Sequence, residues 1–192
     1  MPTPVGHSLA AAVLQLASGR KLVQTESFSM LAVFMIASLP DIDFLPGYFA
    51  GDPRTFHWGP THSLFAAVVV GVIAAWIARR RGIAFAGAFA LASLVYASHL
   101  LLDMFMGPGP RPITGLQILW PFSHEWFISG IDFFRQTARY ELFTPPIIKK
   151  NFLAIVQELA ILGPVVLALW LVRVKALAGL ASEVARRDHA PQ

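Results

Sequence analysis

The 192-residue chain contains no cysteine. Disulfide bonds and thiolate metal sites are therefore excluded, and any bound metal ion must be held by His, Asp or Glu. Charged residues are also scarce at 14%, whereas soluble domains carry about 25%. Because 56% of the residues are hydrophobic and the mean hydropathy is +0.60, the composition predicts an integral membrane protein.

Acidic residues are outnumbered by basic ones, which gives a formal charge of +4 and a pI near 9.9. The basic residues lie in small groups beside apolar runs, a placement typical of membrane topology, so no nucleic-acid partner is expected. The main groups are Arg20 and Lys21, Arg79 to Arg81, and Arg173 and Lys175. The N-terminal apolar stretch has no basic leader before it and is interpreted as a retained first helix.

Apolar segments run over residues 5–17, 28–39, 62–78, 83–104 and 152–172. The last three are long enough, or nearly so, to cross a hydrocarbon core of ~30 Å, whereas the first two fall short. Ala84, Ala88 and Ala92 have the spacing that lets helices approach closely. The pattern predicts an all-α fold, a polytopic bundle of four to five membrane helices forming a single membrane-embedded domain over residues 1–192.

Residues 107–146 differ from the rest because prolines and glycines interrupt any helix and aromatic residues are frequent. Such residues suit the membrane interface. We expect this segment to be an interfacial cap or lid, and a simple interfacial anchor is equally open. Residues 176–192 are expected to form a polar cytoplasmic tail.

In an up-and-down arrangement, the three basic groups fall on one side of the membrane, which the positive-inside rule assigns to the cytoplasm. Four helix ends then meet on the opposite, non-cytoplasmic side. Each carries a potential metal ligand, and the six residues are His7, Asp41, Asp43, His62, His99 and Asp103. One pocket shared by these side chains is therefore predicted.

Local spacing supports a shared pocket. His99 and Asp103 are four residues apart, so on a helix both can reach one ion. Because Pro40 disfavours helix before it, we expect Asp41 and Asp43 in an extended turn, where one binds metal and the other positions a ligand imidazole or water. Thr61 is expected to cap the helix that follows.

Mixed His and Asp ligands favour zinc, with manganese or iron possible. Three of each exceed the needs of one tetrahedral ion and suit a two-metal site with a bridging carboxylate. Two ions about 3.5–4 Å apart activate water and stabilise phosphoryl displacement, which indicates hydrolysis.

Four further residues are candidates for contact with a substrate. Arg54 and Arg111 could hold a phosphate or could contact lipid headgroups. Trp120 is a third candidate for substrate binding. His57 could orient substrate or act as an acid, alongside Asp41 and Asp43 as catalytic candidates, or could be a polar loop residue.

The ordered motifs "GHS", "PDID", "HWGPTHS", "SHLLLD" and "ILWPFS" resemble the YdjM-like family of bacterial inner-membrane metal-dependent hydrolases. The resemblance covers about residues 7–123. That family is distantly similar to the all-helical zinc-dependent phospholipases C. The resemblance implies a multi-pass protein of the bacterial inner membrane, with Asp103 as the bridging ligand and either Asp41 or Asp43 beside the three histidines.

Two departures from these families stand out. The chain has His57-Trp58 where the family commonly has His-Arg. It also lacks the later His-x-x-x-Glu pair of the phospholipases, so a third ion is not expected.

The leading hypothesis is a di-metal hydrolase acting on a phosphoester of a membrane lipid or lipid-linked molecule. The alternative is a non-catalytic membrane metal-binding protein or a transporter. A metalloprotease is disfavoured because His-Glu-x-x-His is absent. The sequence does not predict the oligomeric state.

Overall fold

The computed structural model describes residues 2–52, 55–105, 115–138 and 142–188 of the chain. Within these ranges the regular structure is helical and no strand is formed, which confirms the all-α prediction. The α-helices are α1 (Pro4–Ser18), α2 (Glu26–Ser38), α3 (Phe44–Phe49), α4 (Leu64–Arg79), α5 (Phe85–Met104) and α6 (Pro145–Asp188). Short 3-10 helices occupy Leu39–Asp43 and Pro60–His62.

Three helical stretches in the described residues are long and apolar enough to cross a membrane, namely Glu26–Phe49, Phe85–Met104 and Pro145–Ala176. Helix α4 is also apolar but shorter. The second apolar segment is short by itself, but the helical stretch is longer because α2 continues through the 3-10 helix into α3. The number of membrane helices, four to five, stays a prediction.

The aspartate turn differs from the expected extended conformation. Pro40 occupies the start of the 3-10 helix Leu39–Asp43. Proline is tolerated there because the first turn does not need its missing N–H. Asp41 and Asp43 therefore lie on a helical turn and do not point the same way.

Helix α4 is capped by Ser63 and not by Thr61. The Ser63 hydroxyl accepts a hydrogen bond from the Ala66 N–H at 3.1 Å, and Ser63 has the extended backbone of an N-cap. Pro60 starts a 3-10 helix that includes Thr61. The Thr61 hydroxyl is thereby available for another partner.

Helix α5 packs against α1, α2 and α4, while α1 also packs against α2 and α6. Ala88 and Ala92 are fully buried, in accord with their small-residue spacing. A Cβ atom at Gly71 would lie 2.0 Å from the Ser93 Oγ. Glycine at this position therefore lets α4 approach α5 without displacing the Ser93 side chain.

The three basic groups lie at one end of the bundle, as predicted. The Gln24 amide donates to the Arg81 carbonyl at 2.9 Å, and Arg173 and Lys21 both pair with Glu26. We call this the basic end. Its assignment to the cytoplasm stays a prediction.

The opposite end is crossed by residues 115–138, which we call the cap segment. Leu64 N–H donates to the Ile118 carbonyl at 3.0 Å and Phe133 N–H donates to the Phe105 carbonyl at 3.1 Å. The segment therefore joins the start of α4 to the end of α5, and its role as a cap or lid stays a prediction. Helix α6 begins at Pro145 and runs to Asp188, so it includes the last residues of the predicted cap and much of the predicted tail.

Candidate metal centre

The six predicted ligand residues come together at the end of the bundle under the cap segment. His7 lies in the first turns of α1, and His99 and Asp103 lie in the last turns of α5. The two 3-10 helices supply the other three, Asp41, Asp43 and His62. All six are buried except Asp41, which is partly buried.

Two carboxylate oxygens approach the same two imidazole nitrogens. Asp41 Oδ1 lies 3.9 Å from His62 Nε2 and 3.7 Å from His99 Nε2. Asp103 Oδ2 lies 3.8 Å from His62 Nε2 and 3.6 Å from His99 Nε2. Tetrahedral ligands at ~2.0–2.2 Å from zinc are about 3.3–3.6 Å apart. Among the described residues, the ligand atoms fall into three overlapping groups of three, each with its atoms within 4.8 Å of one another: His62, His99 and Asp103; His7, Asp41 and His99; and Asp41, His57 and His62. Each group could hold an ion after a small inward movement.

Asp103 also faces a second candidate position for a metal ion, beside His7. Its other oxygen, Oδ1, lies 3.4 Å from His7 Nε2, and the His7 ring stacks on His99 with centroids 3.7 Å apart. One carboxylate thus presents one oxygen to each side, the arrangement that a bridging ligand requires. His7 also lies in a group of three potential ligands with Asp41 and His99.

In His62 and His99, the ring nitrogen that points away from the ligand cluster, Nδ1, is held by a polar contact. His99 Nδ1 donates to the Ala37 carbonyl at 2.7 Å, a group near the end of α2 where carbonyls lack intrahelical partners. His62 Nδ1 lies 3.1 Å from Asp43 Oδ2. These contacts keep the proton on Nδ1 and leave the Nε2 lone pairs directed into the cluster.

Asp43 stands behind the ligands. Its Oδ1 is 2.9 Å from His57 Nδ1, and its Oδ2 accepts hydrogen bonds from the Thr61 hydroxyl at 2.8 Å and the Trp58 N–H at 3.1 Å. Asp41 therefore faces the ligand cluster, whereas Asp43 contacts the Nδ1 atoms of His57 and His62. Which of the two binds a metal ion stays a prediction.

The loop that carries Trp58 has an unusual backbone. Trp58 adopts φ 70°, in the left-handed region that non-glycine residues seldom occupy. This conformation directs its N–H toward Asp43. Sequence reasoning missed the roles of Trp58, Thr61 and the Ala37 carbonyl, and only the neighbouring position of Thr61 and His62 could have indicated one of them.

The buried ligand atoms are not satisfied within the described parts of the chain. There, hydrogen-bond partners are lacking for His62 Nε2, His99 Nε2, both nitrogens of His7 and both oxygens of Asp103. A buried polar group without a partner costs about 1–3 kcal/mol. Several acceptors that converge without donors are the arrangement expected of a cation site.

His57 lies beside the cluster. Its ring centroid is 4.9 Å from that of His62, and its ligand atoms are near those of Asp41 and His62. Burial lowers the pKa of His57 below its ordinary value, which favours the neutral imidazole. A neutral His57 could accept a proton or bind an ion.

Glu158 reaches the same end of the bundle from α6 and is 1% exposed. Its carboxylate accepts hydrogen bonds from the Thr3 N–H, at 2.6 Å, and from the Thr3 hydroxyl. A Cβ atom at Gly6 would lie 2.8 Å from Glu158 Cδ, so a glycine there is needed for this contact. The Thr3 carbonyl in turn accepts a hydrogen bond from the backbone N–H of His7 at 3.2 Å. Thr3 therefore links Glu158 to the position of His7.

The predicted substrate contacts are only partly described. Trp120 lies in the cap segment, where its ring meets Phe65 edge-on with centroids 5.8 Å apart. Arg54 and Arg111 lie outside the described residues. Their roles stay predictions.

An all-helical bundle with apolar candidate spans and a buried His/Asp cluster at one end defines a helical membrane protein with a candidate metal centre. The YdjM inner membrane protein family matches residues 1–181, and the chain belongs to this family. The inner membrane protein YbcI of Escherichia coli (strain K12) is 34% identical over 134 residues, which cover 67% of this chain and 73% of the relative. No solved structure matches the chain.

Proposed function

We propose that this protein is a membrane-embedded, metal-dependent hydrolase that acts on a phosphoester of a lipid or lipid-linked molecule. The observation that carries the proposal is the close approach of the Asp41 and Asp103 oxygens to Nε2 of His62 and His99, with Asp103 turning its second oxygen to His7. Zinc is the expected ion, two per chain, with manganese or iron possible.

The ligand residues would hold the ions as two unequal positions. Asp41, His62 and His99 would serve the first, His7 the second, and Asp103 both. When bound, such a pair of ions supplies Lewis-acid activation of water and of the phosphoester oxygens. Asp43 would keep His62 in the ligating tautomer through the contact described above.

His57 would move a proton. Because burial lowers its pKa, its neutral form prevails near neutrality and would act as an acceptor before it acts as a donor. Asp43 would hold the ring by its Nδ1 side and stabilise the cationic form once the proton has arrived. The same proton could then pass to the leaving group.

The surroundings of the site favour a lipid substrate. A cavity of about 550 Å³ is lined by apolar residues and reaches Asp43 and Thr61. Its apolar walls include Ile42, Leu45 and Phe56, each at least half exposed. An acyl chain lying there would place its headgroup next to the ligand cluster.

The alternative is a metal-binding membrane protein without catalytic activity, or a metal transporter. Transport sites usually lie near the middle of the membrane on broken helices. Here His7 and Asp103 lie within a few residues of the ends of α1 and α5. The placement of these two ligands favours a site that opens at the interface, whereas Asp41 lies on the 3-10 helix that interrupts Glu26–Phe49.

The proposal is tested by assaying detergent-purified protein with zinc against a generic phosphodiester and short-chain phospholipids. We expect hydrolysis by the wild type, loss with chelator, recovery on adding zinc, and none from Asp103→Asn. Zinc binding without hydrolysis of any substrate would support the non-catalytic alternative, and zinc uptake into proteoliposomes would support the transporter.

A further inference from the structure

A second cavity, apart from the metal centre, lies between the end of the cap segment and the first turns of α6. Its volume is about 590 Å³. It is lined by Asp132, Arg135, Gln136, Pro146, Lys149, Lys150 and Leu153. Neither the ligand cluster nor its supporting residues contribute to it.

The two walls of this cavity are fixed to each other by paired amide contacts. The side-chain amide of Asn151 donates a hydrogen bond to the Ala138 carbonyl and accepts one from the Ala138 N–H, both at 2.9 Å. Gln157 accepts the Arg135 N–H at 2.9 Å and donates to the Phe133 carbonyl at 3.0 Å. The backbone that carries the cavity-lining residues of the cap segment is therefore held to α6 by these hydrogen bonds.

The lining is strongly basic. Arg135, Lys149 and Lys150 supply three positive charges, whereas Asp132 supplies one negative charge. The positive end of the α6 dipole lies in the same turns and adds to the field. A guanidinium with two ammonium groups is a combination that binds phosphate oxygens.

The cavity lies where lipid headgroups are expected. Ile148, Phe152 and Val156 on the same turns of α6 are 53%, 61% and 44% exposed, as is typical of a helix face in contact with lipid. Lys150 precedes Glu158 by eight residues on α6, so it lies about 12 Å further out from the bundle. The charges therefore sit beyond the apolar core, on the side of the bundle that carries the metal centre.

We propose that this basic cavity binds the phosphate of an anionic lipid headgroup. The net positive lining favours an anionic over a zwitterionic lipid, and the apolar face beside it provides room for the acyl chains. The proposal does not rest on hydrolase activity, because its residues are separate from the metal ligands.

The test compares lipid binding by three forms of the full chain in detergent, measured by native mass spectrometry with short-chain phosphatidylglycerol. The first variant is Arg135→Gln/Lys149→Gln/Lys150→Gln. The matched control is Arg79→Gln/Arg81→Gln/Lys175→Gln, which removes three exposed cations from the basic end. We expect the first variant to bind phosphatidylglycerol at least about tenfold more weakly and the control to resemble the wild type.

Parallel titrations with phosphatidylcholine and with inorganic phosphate identify the source of the phosphate. Displacement of phosphatidylglycerol by inorganic phosphate would support a site for free phosphate, and binding that resists it would support a lipid site. Equal losses in both triple variants, or no loss in the first, would overturn the proposal. Unchanged melting temperatures would show that the replaced surface residues are not needed for folding, and the single variant Lys150→Gln provides a milder second test.

Discussion

The two ends of the bundle both carry clustered charge, but they satisfy it differently. At the basic end, Glu26 pairs with Lys21 at 2.9 Å and with Arg173 at 2.6 Å, and its side chain is 49% exposed. At the other end, His7 and Asp103 are buried and their facing atoms have no hydrogen-bond donor among the described residues. The buried side chains of the metal centre thus lack partners of the kind that Glu26 has at the basic end, and we propose that a cation supplies them.

Two buried acids sharpen this contrast. Glu158 and Asp103 are each 1% exposed. Glu158 receives two hydrogen bonds from Thr3, whereas both oxygens of Asp103 face imidazole nitrogens. The first acid is explained by packing of α1 against α6, and for the second we propose a cation.

Replacement of Asp103 should have the largest effect. Asp103→Asn removes the carboxylate shared by both positions, so we expect most of the bound zinc to be lost. A ligand present at ~100 times its Kd stabilises a protein by about 2.7 kcal/mol. Zinc should therefore raise the melting temperature of the wild type but not that of Asp103→Asn, and an equal rise in both would contradict the assignment.

The two histidines that flank Asp103 should differ in effect. His99→Ala removes a ligand of the four-residue position, whereas His7→Ala affects only the second position. We expect His7→Ala to retain about one ion per chain and His99→Ala to retain less. Metal analysis by mass spectrometry measures the number of zinc ions per chain. Identical losses of zinc in the two variants would argue against two unequal positions.

Asp43→Asn should weaken zinc binding without abolishing it. Its carboxylate orients His62 and lies behind the ligands, and loss of such a partner typically costs 10–100-fold in affinity. Competition with a chromophoric chelator gives the Kd. The exposed acid Glu125 offers a control, since Glu125→Gln should leave the Kd unchanged, and a similar effect of both variants would refute the role of Asp43.

Glu158→Gln should lower stability more than it lowers zinc binding. Hydrogen bonds to charged groups contribute about 1.5–3 kcal/mol to stability. The side-chain amide introduced by the substitution can retain part of this stabilisation through hydrogen bonds with Thr3. Thermal unfolding should show a lower melting temperature, while zinc stoichiometry stays near that of the wild type. Complete loss of zinc would instead make Glu158 part of the metal centre.

Glu26→Gln at the basic end should have the smallest effect. Exposed ion pairs contribute about 0.2–1 kcal/mol, so we expect a slight decrease in melting temperature and no change in zinc content. Increased salt should reduce the difference between this variant and the wild type. A change in zinc binding would show that the two ends are coupled.

The sequence predicted the features that depend on local pattern. Apolar runs indicated the helices, and the spacing of His99 and Asp103 placed both on one face of α5. The meeting of distant helix ends followed from topology and the position of the basic groups. These inferences need only the geometry of a helix and the cost of charge in lipid.

The features that the sequence did not predict depend on tertiary contacts. The different positions of Asp41 and Asp43 arise because Pro40 starts a 3-10 helix, an outcome that its effect on the preceding residue did not indicate. Thr61 bonds to Asp43 because Ser63 takes the cap. The pairing of Thr3 with Glu158 joins residues 155 positions apart, and no local pattern indicates it.

The most direct test of the account is the metal content of the wild-type chain, purified in detergent, loaded with zinc and freed of excess by gel filtration. The account predicts two zinc ions per chain, held by nitrogen and oxygen ligands at about 2.0–2.2 Å in X-ray absorption spectra. A chain that retains no divalent ion after loading would contradict it, because the buried acceptors of His7, His62, His99 and Asp103 would then have to be satisfied in some other way.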